Sequence, residues 1–462
     1  ILPCQDVNKA LSWCGFILAL SSITAYRDLM SDLVSLPSGT PRGNPMRDVA
    51  SLIGGQTLLQ IAGGLLSVWL PLQMQALQFT GSQIGLVASA YGLGFLAGAW
   101  FAPNMLRAIG AIRSYAAAAS IACVTTLLLY ASDSAWAWSF SRLLAGAAIA
   151  VMFAAAEGWM ASAIPNARRG DVTGFYMLCT KLGLVSGPFI IGFTHPEPNA
   201  PGPIMAAAAF LALSLVPISI ADTTPPPPAT VLRMLPSRLF RLAPAAFVAA
   251  IGSGLVNGAV LSLAPLYASE RGGPQAAATF QAAAWIGSLL VQWHAGRLSD
   301  RMDRRIVLAT LIGVPAIAAF VLATIGAELS LTLNTILFGI WGAGALSYYG
   351  IAVAHLGDRT PLAELPAASS GLLFVWAGGT IVGPAIGGLL VEVTGSALSI
   401  FWQAGVVSAI MVPWVLWRTA RRPAVPREDK VGFGPVQTNS VLGQILAMGR
   451  KSSDDEGPHA KP

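Results

Sequence analysis

The sequence has little charge for its length. Asp, Glu, Lys and Arg together account for 10% of the 462 residues, whereas a typical soluble domain carries about 25%. Apolar residues make up 55%. This composition cannot cover a water-exposed surface, which excludes a soluble globular protein and a disordered one. It also argues against a DNA-binding protein, although the net charge is +6.

Residues that usually carry catalysis or bind metals are also scarce. The four cysteines lack C-x-x-C spacing, so they indicate neither a disulfide framework nor a zinc site. The pattern GxxxxGK[ST] of an ATP-driven motor is absent, as are HExxH and GxSxG, and the four histidines are far apart. We therefore expect no enzyme, no cofactor and no metal.

Long apolar runs dominate the rest of the chain. A helix needs about 20 mostly apolar residues to cross a bilayer, and these runs do not alternate as barrel strands would. The sequence therefore predicts an all-α polytopic membrane protein with twelve transmembrane helices. We call them spans 1 to 12; they cover residues 49–76, 82–106, 113–132, 136–161, 171–194, 203–221, 243–268, 275–296, 306–326, 330–355, 367–392 and 397–417.

The basic residues are distributed unevenly between the two sides. The loops after spans 2, 4, 6, 8 and 10 hold twelve Lys and Arg, including Arg107, Arg238 and Arg305; the opposite loops hold only Arg271, and the C-terminal tail holds eight. We call the side of the twelve the Arg-rich side. By the positive-inside rule it is cytoplasmic, which places both termini in the cytoplasm of a bacterial inner membrane. The basic balance therefore reflects topology and indicates no nucleic-acid partner.

The polar segments divide the chain. A run of four prolines, Pro225–Pro228, cannot lie inside a helix, so we expect a cytoplasmic linker at 223–242 between helical bundles at 46–222 and 243–418. The polar tail 419–462 is expected to be disordered. Residues 1–45 are expected to come from an upstream start or a fragment boundary, because Met46 would be an ordinary first residue and 11–25 is too short to span.

Two motifs recur at nearly one offset. Gly64 through Pro71 in span 1 matches Gly258 through Pro265 in span 7, at an offset of 194. A G-x-x-x-G-P string in span 5 matches one in span 11, at an offset of 196. The chain therefore contains two pseudo-symmetric halves, spans 1–6 and spans 7–12. Such repeats place a substrate site near the midplane between the halves.

The loop between spans 8 and 9 carries the sharpest motif, Gly-Arg-Leu-Ser-Asp-Arg-Met-Asp-Arg-Arg at 296–305. It resembles the loop motif G-x-L-x-D-R-x-G-R-R of the major facilitator superfamily, with Asp303 where Gly is usual. The resemblance implies a gating loop that holds the cytoplasmic helix ends, with Asp300 capping the start of span 5 near Gly170. The alternative is a purely topological role for the charges. The residues implied in gating are Gly296, Asp300, Arg301, Arg304 and Arg305.

Two further strings resemble motifs of this superfamily. Trp138-x-x-x-Arg142-x-x-x-Gly146 in span 4 resembles its R-x-x-q-G motif, and the span 11 string resembles its antiporter-associated G-x-x-x-G-P-x-x-G-G motif. In the family the antiporter-associated motif lies in span 5, where this chain has only a looser copy. Whether the protein works as an antiporter therefore stays open. Generic helix packing and kinking is the alternative; the residues concerned are Gly183, Gly187, Pro188, Gly379, Gly383 and Pro384.

Three ionisable residues lie inside spans of the first half, where a charge is costly and usually functional. We expect Glu157 to couple proton movement, and Lys181 to be either the partner of Glu157 or an anchor for an anionic substrate. Arg142 is expected to face the cavity; snorkelling and structural ion pairs are the alternatives. Further candidates for the cavity wall, each also explicable by packing, are Gln56, Gln60, Asn257, Trp285, Tyr348, Tyr349 and Trp376.

Together these resemblances, which include similarity to the YcaD-type bacterial branch, imply two six-helix bundles that rock about a central cavity. The expected function is secondary active transport of a small organic solute, coupled to protons, by a monomer in the lipid bilayer. The alternatives are an uncoupled facilitator, or a membrane receptor or scaffold without transport.

Overall fold

A computed structural model describes residues 45–164, 169–193, 200–220, 234–361, 364–426, 430 and 433. The expected N-terminal extension and most of the linker lie outside these residues. Within the described part of the chain, the regular structure is entirely helical, which confirms the all-α prediction.

The first half begins at Pro45 and contains spans 1 to 6. Its α-helices are Pro45–Ala76, Gly81–Ile109, Ala111–Leu128, Ala135–Ala163, Arg169–Ser186 and Gly202–Leu213. The 3₁₀ segment Gly187–Phe193 extends span 5, and the short helix Leu215–Ser219 extends span 6. Span 2 starts sharply because Thr80 and Gln83 form a capping box that satisfies free backbone N–H groups.

The second half contains spans 7 to 12. Its helices are Pro244–Arg301, Arg304–Ile325, Leu331–Ala345, Tyr348–Gly357, Leu365–Thr394 and Ser399–Arg421. Eleven helices in the described residues are long and apolar enough to cross a membrane. One of them, Pro244–Arg301, is 58 residues long and is interrupted by non-helical backbone at Gly272 and Gly273. It therefore comprises spans 7 and 8, which gives the predicted total of twelve.

The break between spans 7 and 8 is encoded locally. Gly273 has φ of +69°, a conformation that glycine adopts at little cost. Pro274 follows directly and begins span 8, where its missing N–H costs no intrahelical bond. Span 10 is also interrupted, between Ala345 and Tyr348. The Asn257 side chain donates to the Ala345 carbonyl oxygen at 2.9 Å, which satisfies an acceptor freed by that interruption.

The polar segments are more ordered than their composition predicts. The last seven residues of the expected linker form the helix Pro236–Leu242. Arg238 pairs with Glu364 at 2.8 Å, at the start of span 11. Span 12 continues to Arg421, beyond the expected start of the disordered tail.

The apolar core differs between the two sides of the molecule. On the Arg-rich side a second cluster is built mainly from first-half residues such as Leu52, Phe95 and Phe153, and it also includes Leu373 of span 11. Away from that side, both halves share one cluster. The first-half members of the shared cluster are Leu65, Leu66, Val68, Trp69, Leu70, Met74, Ile84, Val87, Leu129, Trp138, Ile191, Ile204 and Ala207. The halves are therefore joined by a common core on the side opposite the Arg-rich side.

Candidate functional site

A cavity of about 280 Å³ lies among spans 1 to 8. Aliphatic side chains such as Leu59, Leu70 and Met74 make up much of its wall. The polar groups come from both halves, as expected for a site between them. They are Gln60, Ser67, Tyr91, Thr126, Arg142, Ser262, Gln281 and Trp285.

Arg142 is the one charged side chain among the cavity's lining residues. Its guanidinium carbon lies 4.2 Å from the centroid of the Tyr91 ring, a cation–π contact that holds it against the wall. No ion pair or hydrogen bond of this guanidinium is found within the described residues. A planar guanidinium offers five N–H donors, so an anion entering the cavity would meet an unsatisfied donor set.

The remaining expected cavity residues are divided. Gln60 and Trp285 line the cavity with Arg142. Gln56 is buried and donates to the Met152 carbonyl oxygen at 3.4 Å, and Asn257 closes the break in span 10. These two amides therefore stabilise helix contacts.

The expected aromatic residues form a layer beside the cavity. The rings of Tyr349 and Trp376 lie 6.2 Å apart, and Trp376 meets Phe95 of the first half edge-on at 6.1 Å. Tyr348 is fully buried in the second half. The layer packs the halves together and contributes no residue to the cavity wall.

Sequence reasoning missed five of the eight polar lining residues, namely Ser67, Tyr91, Thr126, Ser262 and Gln281. Tyr91 stacks on Arg142, and the Gln281 amide donates to the Leu261 carbonyl oxygen at 3.4 Å. Both are polar side chains well inside an apolar span, the same signal that singled out Gln60, so that criterion applied to every span would have found them.

Lys181 joins the two halves. Its ammonium donates to the Ser288 hydroxyl at 2.8 Å and to the Gln292 amide oxygen, both on span 8. The side chain is 9% exposed and does not line the cavity. In this conformation Lys181 therefore binds span 8. The sequence had suggested Glu157 or a substrate as its partner.

Glu157 lies in the core built mainly from the first half, on the Arg-rich side. Its carboxylate is 2% exposed and accepts a hydrogen bond from the Tyr176 hydroxyl of span 5 at 3.2 Å. It does not line the cavity. Any proton that Glu157 carries would therefore act on helix packing without touching a solute in the cavity.

The gating loop 296–305 is anchored by a buried ion pair. Arg304 donates from Nε to the Asp358 carboxylate at 2.7 Å, and both side chains are 1% exposed. Arg304 also donates to the Ser299 hydroxyl at 2.9 Å and pairs with Asp300 at 3.1 Å. The pair fixes the end of span 10 to the start of span 9.

The other charged residues of the gating loop have different surroundings. Arg305 donates to the Arg418 carbonyl oxygen at 2.8 Å, while Arg301 is exposed. Asp303 caps span 9 by accepting from the Arg305 backbone N–H at 3.0 Å. Burial would raise the pKa of Asp303, but its hydrogen bonds from Arg305 hold that pKa below its ordinary value.

Asp300 was expected to cap the start of span 5 near Gly170, but it contacts other residues. Its carboxylate oxygens lie 3.0 and 3.2 Å from the backbone N–H of Phe433, from which they accept. The remaining partner among the described residues is Arg304. The capping of span 5 by Asp300 stays a prediction for a conformation in which the Arg-rich side is closed.

The glycine motif of span 11 packs two neighbours at once. Gly379 and Gly383 lie against the backbone of span 7, whereas Pro384 and Gly388 lie against Gly85 and its neighbours in span 2 of the other half. A Cβ at these glycines would overlap backbone atoms. This arrangement favours the packing interpretation of the motif.

The looser copy of the glycine motif, in span 5, makes the equivalent contacts in the first half. Gly183 and Gly187 lie against the backbone of span 1, and Gly192 meets Gln275 at the start of span 8. At Gly187 and Pro188 the helix changes from α to 3₁₀ geometry, because proline has no N–H to donate. The two halves thus use their motif helices in the same way.

Polar contacts also link the halves on the side opposite the Arg-rich side. Glu392 of span 11 accepts from the Ser82 backbone N–H at 2.8 Å, which caps span 2 of the other half. Gln75 donates to Glu270 at 3.4 Å. These contacts and the shared core join the halves on that side.

The described residues contain no group of three or more His, Cys, Asp or Glu side chains that could hold a metal ion. Among the described residues, the site consists of a cavity large enough for a small solute and lined by Arg142. Near it lie Lys181, which joins the halves, the buried carboxylate of Glu157 and the charged gating loop 296–305. This combination, in a helical bundle of twelve spans, defines a multi-pass membrane transporter.

The chain belongs to the Major Facilitator Superfamily, whose sequence profile matches residues 52–354. It is 28% identical over 364 residues to an uncharacterized MFS-type transporter of Yersinia pseudotuberculosis, covering 78% of this chain and 93% of that one. It is 27% identical over 352 residues to the uncharacterized MFS-type transporter YcaD of Salmonella dublin, covering 75% and 89%. The predicted superfamily and the resemblance to the YcaD type are confirmed.

Solved structures show the same fold. The nucleoside transporter NupG, in its D323A mutant, superposes with a TM-score of 0.67 at 16% identity, covering 80% of this chain and 99% of that one. A D-xylose–proton symporter superposes with a TM-score of 0.64 at 14% identity, covering 83% and 98%. At these identities the similarity establishes the architecture of two six-helix bundles.

Proposed function

We propose that this protein is a proton-coupled transporter of a small amphiphilic organic anion, working as a monomer by alternating access in the bacterial inner membrane. The Arg-rich side and both termini are cytoplasmic in this proposal. The observation that carries the substrate class is the Arg142 guanidinium, which faces the cavity without an anionic partner among the described residues.

The cavity chemistry supports an anion with an apolar body. A buried cation without a partner is costly, and an anion that pairs with it recovers that cost. The aliphatic wall and the indole of Trp285 favour an apolar ring or chain. A volume of about 280 Å³ suits a small solute. The amides of Gln60 and Gln281 would orient polar groups of the solute.

The difference between the two sides supports alternating access. The shared core, Glu392 and Gln75 hold the halves together on one side, whereas the cluster on the Arg-rich side is built mainly from the first half. Rocking would exchange these arrangements about the central cavity. In this scheme Lys181 is the contact between the halves near the pivot, and Arg142 takes the place of Lys181 as the proposed anchor for the substrate.

Glu157 is the proposed proton-coupling group. A carboxylate buried inside a membrane helix favours proton uptake when its surroundings become less polar. Its partner Tyr176 lies on span 5, the helix that also carries Lys181. Protonation of Glu157 would therefore change the contact between spans 4 and 5, which moves the span that touches the second half.

The test uses three membrane-impermeant probes with one ring and different charge. Purified protein in liposomes is given benzenesulfonate, phenyl glucoside or benzyltrimethylammonium, with a pH dye inside to follow protons. We expect uptake of benzenesulfonate together with proton movement. Arg142→Gln should abolish the preference for the anion, whereas Tyr91→Phe, which keeps the stacked ring, should retain it. Preferred uptake of the cation would contradict the proposal.

The same assay separates the alternatives. Glu157→Gln should bind benzenesulfonate but move no protons. Benzenesulfonate uptake without proton movement, unchanged in Glu157→Gln and after collapse of the proton gradient, would indicate an uncoupled facilitator. Binding of benzenesulfonate without uptake would indicate a receptor or scaffold.

A further inference from the structure

The described residues at the end of span 12 are bound by arginines of the Arg-rich side. Arg305 donates to the carbonyl oxygens of Arg418 and Arg422, at 2.8 and 3.0 Å. Arg359, in the loop after span 10, donates to the Pro423 carbonyl oxygen at 3.0 Å. Arginines of the second half thus hold the first residues beyond the helix by their backbone.

Lys430 lies at the end of span 8. It is 7% exposed, and its ammonium donates to the carbonyl oxygens of Ser299, at 3.3 Å, and of Met302. These carbonyls belong to the last turn of span 8 and the residue after it. A lysine ammonium there satisfies free acceptors and complements the negative end of the helix dipole. Lys430 therefore caps span 8 from the C-terminal segment.

Phe433 occupies a slot between spans 8 and 10. Its ring lies against the bare backbone of Gly296, where a Cβ would overlap the ring, and close to Gly350 of span 10. Its backbone N–H donates to Asp300. The motif glycine and the motif aspartate of the gating loop thus bind one residue, Gly296 through shape and Asp300 through a hydrogen bond.

We propose that the C-terminal segment containing Lys430 and Phe433 is an intramolecular latch, which docks in the slot beside Gly296 and holds the Arg-rich ends of spans 8 and 10 in the open arrangement. The latch occupies the gating loop on the Arg-rich side, where the core cluster of the first half takes Leu373 from the second half. While Asp300 accepts from Phe433, it cannot turn towards the first half. Closing of the Arg-rich side therefore requires the latch to leave.

Trypsin measures docking directly, because Lys430 is followed by Val431 and is a cleavage site only when the segment is released. The full-length protein is digested in nanodiscs, and the fragment ending at Lys430 is quantified by mass spectrometry. Loss of the Phe433 ring contact should raise the cleavage rate at Lys430 about tenfold. Phe433→Ala and Gly296→Ala should both show this increase. Gly378→Ala, where a Cβ meets no atom within 4 Å, is the matched control. Equal rates in all four proteins would overturn the proposal.

A distance measurement tests the restraint without any solute, so it stands apart from the proposed transport. Nitroxide labels replace the exposed Arg107 and Arg297, one in each half, in protein whose four cysteines are changed to serine. Phe433→Ala should shift the distance distribution towards shorter values as the Arg-rich side closes. An unchanged distribution would refute the restraint. A shift in protein that takes up none of the three probes would support the latch and count against the proposed transport.

Discussion

Lys181 offers a quantitative test of the contact between the halves. A hydrogen bond to a charged group contributes about 1.5–3 kcal/mol to stability. Gln292→Leu would leave the buried ammonium with Ser288 as its remaining partner among those found here, at an expected cost of about 2 kcal/mol. Lys181→Met removes the charge together with its burial cost, but leaves the Gln292 amide oxygen without the ammonium. The double variant should therefore lose less than the sum, with a coupling free energy of about 2 kcal/mol.

The assay is equilibrium unfolding of the purified protein in mixed micelles, titrated with sodium dodecyl sulfate. A second cycle pairs Lys181→Met with Glu157→Gln and should give the smaller coupling, because the structure shows the Lys181 ammonium bound to span 8. A coupling below about 0.5 kcal/mol between Lys181 and Gln292 would refute the bridge, since additive variants agree within that limit. A larger coupling to Glu157 would restore the ion pair that the sequence suggested.

Two more predictions concern the contacts of span 11. Gly383→Ala places a methyl group against the carbonyl oxygen of Leu255, so it should lower the unfolding free energy by about 1–3 kcal/mol. Gly378→Ala, where the added methyl group meets no atom, should leave the unfolding free energy unchanged. Thermal unfolding in detergent measures both variants, and equal shifts in the two would contradict the packing. Glu392→Ala removes the carboxylate that joins span 11 to the start of span 2, while the Thr80–Gln83 capping box remains. It should speed labelling of a cysteine introduced at the buried Gln73 by an impermeant maleimide, and an unchanged labelling rate would show that this contact does not keep that side closed.

The fold was predictable because hydrophobic length and glycine placement act locally. Twelve apolar runs of bilayer length suffice for the spans, and Gly272, Gly273 and Pro274 mark even the break that separates spans 7 and 8. The two G-x-x-x-G-P strings predicted a repeat, and the structure places them in matching contacts with spans 1 and 7. None of this depends on distant parts of the chain.

The site was harder to predict because depth in the membrane says nothing about the direction in which a side chain points. Arg142 and Lys181 are both cations inside spans, yet one faces the cavity and the other faces span 8. The facing direction depends on how the two halves pack, which no local pattern encodes. The sequence analysis did not single out Tyr91, whose contact with Arg142 depends on how spans 2 and 4 pack.

The contacts of Lys430 and Phe433 could not be predicted for a related reason. Disorder was inferred from average polarity, but docking depends on single residues. Phe433 fits a slot that exists only because Gly296 lacks a side chain, and Lys430 fits the free carbonyls at the end of span 8. Such complementarity involves residues more than 100 positions apart, so composition cannot report it.

The two intramembrane cations can be assigned different roles by what already satisfies them. Lys181 has two acceptors at hand, so a solute anion would have to compete with hydrogen bonds that are already made. Arg142 has an aromatic face beneath it and no anionic partner among the described residues, so a solute anion need not displace a hydrogen bond that is found there. Binding energy is therefore greater at Arg142, while Lys181 contributes its hydrogen bonds to holding the halves together. The anion selectivity of the protein should thus depend on Arg142, and its stability on Lys181.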